Sequence, residues 1–251
     1  MGEGSGKSWQ SSFPWDGAMA ERRLQGAGGV PPPAPGLPTR RLPRGPHGLP
    51  RRFVADHQRR RLLAGAAQAL AAHGYAEMTI EHVLTRAGVS RATFYENFDG
   101  KRECVLVAHQ RAFDRLTATL LQACTRESEW PAKVAAAIGV ATGFAASRPE
   151  EAQLLIVDAL APDRVLVERV MASNDLLIGL LRSGRERFPG AAAVPELTER
   201  VLIGAFTSVI GARLLAGQAD RLPALQPELI QLMLMPYLGF EEARRLADPS
   251  P

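Results

Sequence analysis

Ser90, Arg91, Ala92, Thr93 and Tyr95 fall within six consecutive residues, and their side chains make a set suited to the edges of nucleic-acid bases. The Arg91 guanidinium can donate two parallel hydrogen bonds to O6 and N7 of a guanine, and Thr93 offers a hydroxyl to a base or a methyl to a thymine. Ala92 is small enough to let the backbone approach. Tyr95 is displaced by about 100° from Phe94 on a helix, so its hydroxyl can meet a phosphate or its ring a thymine methyl. Lys101 opens a further helix, where free amides and the positive dipole end already attract an anion; a phosphate partner gives a lysine at that end a purpose. Thr79 and Ser90, each at a helix start, can cap the helix, contact phosphate, or both, and Asn97 can also reach the backbone of a nucleic acid. Glu96 and Asp99 lie nearby, and their charge would repel phosphates.

Short helices must hold these groups. From about Arg52 the residues Leu62, Ala66 and Leu70 form one apolar stripe, which ends at His73-Gly74. Thr79 caps a second helix whose Ile80, Val83, Leu84 and Ala87 recur at helical spacing, and Gly88 stops it. Ser90 caps a third helix, expected from Arg91 to about Phe98. Phe94 and Phe98, four apart, should pin it with Val89 onto the first two. Two short helices joined by a glycine-containing turn make a helix-turn-helix.

Further helices are expected over Lys101 to Thr125, Pro131 to Ser147, Glu150 to Leu160, Pro162 to Arg187, Glu196 to Leu215 and Gln226 to Leu238. That makes about nine with no convincing strand. Aromatics are only 6% of the 251 residues, and the second half is rich in Ala and Leu, so the fold class is all-α. Residues 1–50 are crowded with Gly and Pro and lack any apolar period; they are expected to be disordered. Nothing before Met19 looks structural, so Met19 could be the start. The arginines from Arg40 to Arg52 suit either a basic arm along DNA or a solvated tail.

Charge is divided unevenly. Residues 51–102 carry nine Arg and Lys against five Asp and Glu, residues 1–50 are also basic, and the remainder is mildly acidic. A basic front fits a polyanion partner, although an ordinary solvated surface would fit as well. The two cysteines, Cys104 and Cys124, lie about 30 Å apart along one helix, too far to bridge within it. Reduced thiols and a cytoplasmic setting are expected. The five histidines are scattered, so no metal site or cofactor is expected. Val201 to Ala212, the longest apolar stretch, is too short to span a membrane.

Gly74-Tyr75, Thr79-Ile80, Ala87-Gly88-Val89-Ser90, Thr93-Phe94-Tyr95, Phe98 and Lys101 resemble the N-terminal domain of the TetR (tetracycline-repressor) family, over roughly residues 54 to 106. The resemblance implies a three-helix DNA-binding domain, here 51–100. It also implies a helical domain for dimerisation and a small-molecule effector, here 101–245, followed by a tail at 246–251. It implies Tyr95 and Lys101 on phosphates, a palindromic double-stranded operator, and a homodimer through the helices at about 196–238. It further implies a repressor released by its ligand. The stripe Val201, Leu202, Ala205, Val209, Ile210 and Leu214, then Leu229, Leu232, Met233, Leu234 and Tyr237, is broad enough for both an internal core and a partner. Phe144, Leu155 and Met171 are possible pocket residues but equally core, so no ligand-binding residue is assigned.

Two other classes compete. Ser90, His82 and nearby carboxylates could be imagined as a nucleophilic site, but no strained nucleophile turn, metal spacing or phosphate loop accompanies them, so an enzyme is not expected. The alternative is a dimeric α-helical interaction protein whose DNA binding is non-specific or lost, a reading that Glu96 and Asp99 keep open.

Overall fold

In the computed structural model, residues 51–156 and 164–248 are described, all within one compact unit of residues 38–251. The expectations for residues 1–50, including Met19 as a start and the part of the basic arm that begins at Arg40, lie outside the described residues.

The chain enters on α1 (Arg51–Glu77), which breaks from helical geometry at Gly74 (φ 66°, ψ 165°). α2 (Ile80–Ala87) ends at Gly88, whose left-handed backbone (φ 60°, ψ 41°) lets its amide donate to the Leu84 carbonyl at 2.7 Å. A β-carbon is disfavoured in that conformation, so glycine is the residue that turns the chain there. α3 (Arg91–Tyr95) follows after two residues. α1 and α2 cross closely at Gly65, where an added β-carbon would lie 2.9 Å from the Ala87 nitrogen and the Val83 oxygen. Phe94 and Phe98, both buried with ring centroids 5.8 Å apart, share a core with Leu62, Leu63, Ala66, Leu70, Val83 and Leu84. Burying each phenylalanine stabilises this small bundle by about 1.5–3 kcal/mol.

α4 (Lys101–Thr125) starts beside α1 and runs on to pack against α5 (Trp130–Ser147) and α6 (Pro149–Ile156). α7 (Arg164–Arg182), α8 (Thr198–Leu215), α9 (Gln226–Leu238) and α10 (Phe240–Ala247) complete the fold, with 3-10 turns at Pro189–Ala193 and Ala219–Leu225. Among the described residues there are ten α-helices and no strand, so the architecture is all-α. Cys104 and Cys124 are free and buried, and burial pushes the Cys104 thiol up to about 12.

A polar knot ties the second half together. The Glu199 carboxylate, fully buried, accepts from Arg185 Nε at 2.6 Å and Nη2 at 2.9 Å, and from the Tyr237 hydroxyl at 2.9 Å. Burial would raise the Glu199 pKa, but hydrogen bonds from Arg185, its backbone and Tyr237 outweigh that and hold it below the usual carboxylate value. Beside the knot, Trp130 donates to the Leu180 carbonyl at 2.9 Å and meets the Tyr237 ring edge-on at 4.9 Å.

Several boundaries differ from the sequence expectation. α3 stops at Tyr95 rather than about Phe98, because the Asn97 amide turns back to the Phe94 carbonyl three residues earlier and tightens the chain. α7, described from Arg164, ends at Arg182 rather than Arg187: the Gly184 and Arg185 amides bond three residues back, to Leu181 and Arg182. The sixth expected helix is described only to Ile156. α10 is a tenth helix beyond the nine expected and extends to Ala247, into the stretch read as tail. Its eight residues include four charges and bury Ala243 and Ala247, an apolar signal too thin to stand out.

Candidate nucleic-acid interface

α3 is short enough that its two caps define it. The Ser90 hydroxyl accepts from the Thr93 amide at 3.1 Å and lies 2.9 Å from the Thr93 hydroxyl. With Phe94 turned into the core, the opposite face of α3 is left to solvent: Arg91, Ala92 and Tyr95 are exposed, Tyr95 at 52%. Arg91 and Tyr95 are one turn apart and therefore neighbours on that face. Thr93 and Asn97 are half-buried on its flank, and the Asn97 side-chain amide donates to the Thr93 carbonyl at 2.8 Å. Glu96 and Asp99 are exposed, and the Asp99 amide donates to Glu103 at 2.7 Å.

Arg91 is engaged across the turn. Its Nη2 donates to the Glu81 carboxylate of α2 at 2.9 Å, and the hydrogen bond holds the guanidinium pKa above its ordinary value. The other two assigned positions sit at helix starts. Thr79 caps α2 reciprocally: its hydroxyl accepts from the His82 amide at 3.3 Å, while its own amide donates to His82 Nδ1 at 3.4 Å. His82 also stacks on His73, with centroids 4.0 Å apart. Ser90 and His82, the pair an enzyme reading would need, are thus each occupied in capping a different helix.

Lys101 is placed otherwise than the helix-dipole argument suggested. Its ammonium donates to the Tyr75 and Met78 carbonyls, both at 2.9 Å, and sits 4.7 Å from the centroid of the Tyr75 ring. These carbonyls stand at the end of α1 and just past it, so the lysine offsets the negative end of one helix while standing at the positive end of another. The third N–H of the ammonium is not used by these two bonds.

Two arginines of α1 do comparable work that the sequence did not disclose. Arg59 donates to the Asn97 carbonyl at 3.0 Å and covers the Phe98 ring at 4.5 Å, holding the end of α3. Arg61 donates to the Gly88 carbonyl at 3.1 Å, at the end of α2. Both lie off the apolar stripe of Leu62, Ala66 and Leu70. Nothing in their spacing signals which carbonyl they reach.

In the second half, a small apolar cavity of about 60 Å³ lies among α4, α5, α6, α7 and α8. Phe113, Leu116, Leu120, Phe144, Leu155 and Ile210 supply apolar lining, and Thr117, Asn174 and Thr207 supply polar atoms. Of the three residues considered from sequence, Phe144 and Leu155 line it, whereas Met171 is 64% exposed and does not. α8 carries a solvent-facing stripe of Val201, Ala205, Ser208, Ala212 and Leu215, with Val201 and Leu215 about two-thirds exposed.

Comparison with known proteins locates these features. Residues 62–108 match the family model described as bacterial regulatory proteins, tetR family. The HTH-type transcriptional activator FasR of Mycolicibacterium smegmatis (strain ATCC 700084 / mc(2)155) is 30% identical over 87 residues, a match that covers 35% of this chain and spans only 40% of the length of FasR. Among solved structures, the fatty acid degradation regulator FadR from Bacillus halodurans aligns with a TM-score of 0.62 at 19% identity, over 70% of this chain and 97% of that one. FadR from Bacillus subtilis, in complex with stearoyl-CoA, aligns with a TM-score of 0.59 at 15% identity, over 72% and 98%. A TetR-like transcriptional regulator from Rhodococcus sp. RHA1 gives 0.58 at 22% identity, over 74% and 97%. No helix among the described residues is long and apolar enough to cross a membrane. The helix-turn-helix lies within the segment that matches the tetR family model, and the chain shares its fold with these regulators.

Proposed function

We propose that the protein is a cytoplasmic, sequence-specific transcriptional regulator that binds a palindromic operator as a homodimer and is released from it by a small apolar ligand. The observation that carries this reading is the exposed face of α3, where Arg91, Ala92 and Tyr95 lie together inside the matched family segment. A recognition helix enters the major groove with its N-terminal residues toward the bases, so Arg91, Ala92 and Thr93 read sequence while Thr79, Ser90, Tyr95, Asn97 and Lys101 meet phosphates.

Residues 51–100 form the DNA-binding domain in this reading, and residues 101–245 the regulatory one. The dimer pairs α8 and α9 with their copies. The exposed Val201, Leu215 and Leu232 would otherwise leave an apolar surface in water. The cavity is mostly apolar, which suits an acyl chain such as that of the stearoyl-CoA in the Bacillus subtilis FadR structure, and at about 60 Å³ it would have to widen to admit one. Because α4 begins at Lys101 and lines the cavity through Phe113, Leu116, Thr117 and Leu120, a ligand that favours one tilt of α4 would alter the spacing of the two recognition helices from the roughly 34 Å between successive major-groove faces.

A footprint on DNA upstream of the protein's own gene tests the reading, with Arg91→Ala and Tyr95→Ala as controls. Protection of a near-palindrome that both substitutions weaken supports it. A uniform, strongly salt-dependent smear supports the other reading, a helical interaction protein with non-specific or lost DNA binding, which the exposed Glu96 and Asp99 favour.

A further inference from the structure

We propose that Glu81 is a specificity-determining residue: it holds Arg91 in the orientation that reads a base and keeps that guanidinium from being spent on a phosphate. The inference rests on the operator reading above and assigns a role to a residue outside the set taken as contacting DNA.

The geometry is that of a bracket. Glu81 stands in the first turn of α2 and Arg91 is the first residue of α3, so the 2.9 Å contact from Nη2 to the Glu81 carboxylate spans the turn of the helix-turn-helix. The turn itself is set by the Gly88 and Ser90 caps, which leaves little freedom for either helix end. Tyr95 stands one turn along α3 on the same exposed face as Arg91.

The donor arithmetic leaves the reading edge intact. A guanidinium has five N–H groups, and each Nη carries two that point to different sides. One contact at Nη2 takes one of that nitrogen's two hydrogens. The other still forms a parallel pair with a neighbouring N–H, which is what O6 and N7 of a guanine require.

Both partners are well exposed, with side chains 60% and 65% accessible. An exposed ion pair of this kind adds little to folding stability, so stability is a poor reason to place a carboxylate on a surface that must approach phosphates. Its effect on recognition is larger. An arginine free to swing finds the nearest phosphate, where it adds affinity without sequence information. An arginine paired to Glu81 carries no net local charge, so phosphates attract it weakly, while its directional donors still distinguish a guanine from other bases. The pair therefore exchanges general affinity for choice.

Selection from a pool of randomised duplexes, followed by binding titrations on single base-pair variants of the selected site, tests this. Wild-type protein should enrich a palindrome; failure to enrich any site removes the operator reading, and this inference with it. Given a palindrome, Arg91→Ala should relax one position in each half-site. Glu81→Ala and Glu81→Gln should relax the same position, with the wild-type preference there falling by about fivefold or more on the scale of one bidentate contact. They should also bind unrelated DNA more tightly, with a salt dependence steeper by about one phosphate contact. The double variant should discriminate no worse than Arg91→Ala alone, since Glu81 acts through Arg91. Thermal unfolding of the Glu81 variants should match wild type. The inference is overturned if they keep full preference at the Arg91 position, or if the losses of the two single variants add.

Discussion

Replacing Lys101 by methionine separates two reasons for a lysine at the start of α4. The substitution keeps the length and apolar stem of the side chain and removes the ammonium. In the structure that ammonium makes two bonds of 2.9 Å to the Tyr75 and Met78 carbonyls at the end of α1. A hydrogen bond to a charged group contributes about 1.5–3 kcal/mol, but Lys101 is only half-buried, so water can reach the abandoned carbonyls and recover part of that. A net loss of about 2–3 kcal/mol for both bonds together is the expectation. For a domain of 150–250 residues each kcal/mol shifts Tm by about 2–4 °C, which gives a fall of about 4–12 °C.

The assay is thermal unfolding of the DNA-free protein by circular dichroism, with DNA affinity measured in parallel at several salt concentrations. If Lys101 served only a phosphate, Tm would not change and the salt dependence of binding would drop by about one contact. If it served only the carbonyls, Tm would fall and the salt dependence would stay. The geometry predicts a fall in Tm whether or not the lysine also meets a phosphate, because the two carbonyl bonds exist without DNA. An unchanged Tm would refute the reasoning.

Gly184→Ala should destabilise the second half of the chain by about 1–3 kcal/mol, visible as a lower denaturation midpoint, because the new β-carbon would clash with the Trp130 ring. Glu199→Gln should cost about 3–5 kcal/mol in chemical denaturation, since it breaks a buried pair and leaves Arg185 without its carboxylate. The same carboxylate sets a pH dependence: its pKa is lowered on folding, so its contribution is present above about 4.5 and is lost as pH falls through the folded value. A stability profile flat from about pH 6 to about pH 3 in wild type would contradict that. If α8 pairs with its copy as proposed, Val201→Glu, which places a charge on its exposed stripe, should convert dimer to monomer in sedimentation velocity without lowering helicity.

The readability of this chain from its sequence followed the range of the interactions involved. Caps and apolar periods act within four or five residues, and so Thr79, Gly88, Ser90 and the Phe94 and Phe98 pair announced the three short helices and the division between core and outer face. What joins residues distant in the chain left no local trace. Arg59 reaches Asn97 across 38 residues, Lys101 reaches Tyr75 across 26, and Tyr237 reaches Glu199 across 38. Side-chain type and helical phase say which way each residue leaves its helix, not which group stands there. Glu81 is intermediate: an acid in the first turn of α2 is what the helix dipole favours, and that local preference, small at an exposed position, concealed its second partner, Arg91, ten residues on.

The same distinction bears on how α4 could carry a signal. Its first turn is fastened to α1 by Lys101, its middle to α6 by the 3.0 Å pair of Arg115 with Glu151, and the residues beside that pair, Leu116 and Ala152, line the cavity. A helix is stiff along its axis, and from Lys101 to Leu120 it extends about 28 Å at the helical rise; a tilt of about 5° at one end moves the other by about 2.4 Å. The Lys101 bonds at 2.9 Å cannot follow a shift of that size without breaking or carrying the end of α1 with them. In the proposed function, pressure from inside the cavity on Leu116 and Leu120 would be converted, through a rod anchored by side chains rather than by loops, into movement of the helix that holds α2 and α3 in place. On that reading a ligand would need only to exceed what the cavity accepts at rest to displace the exposed face of α3.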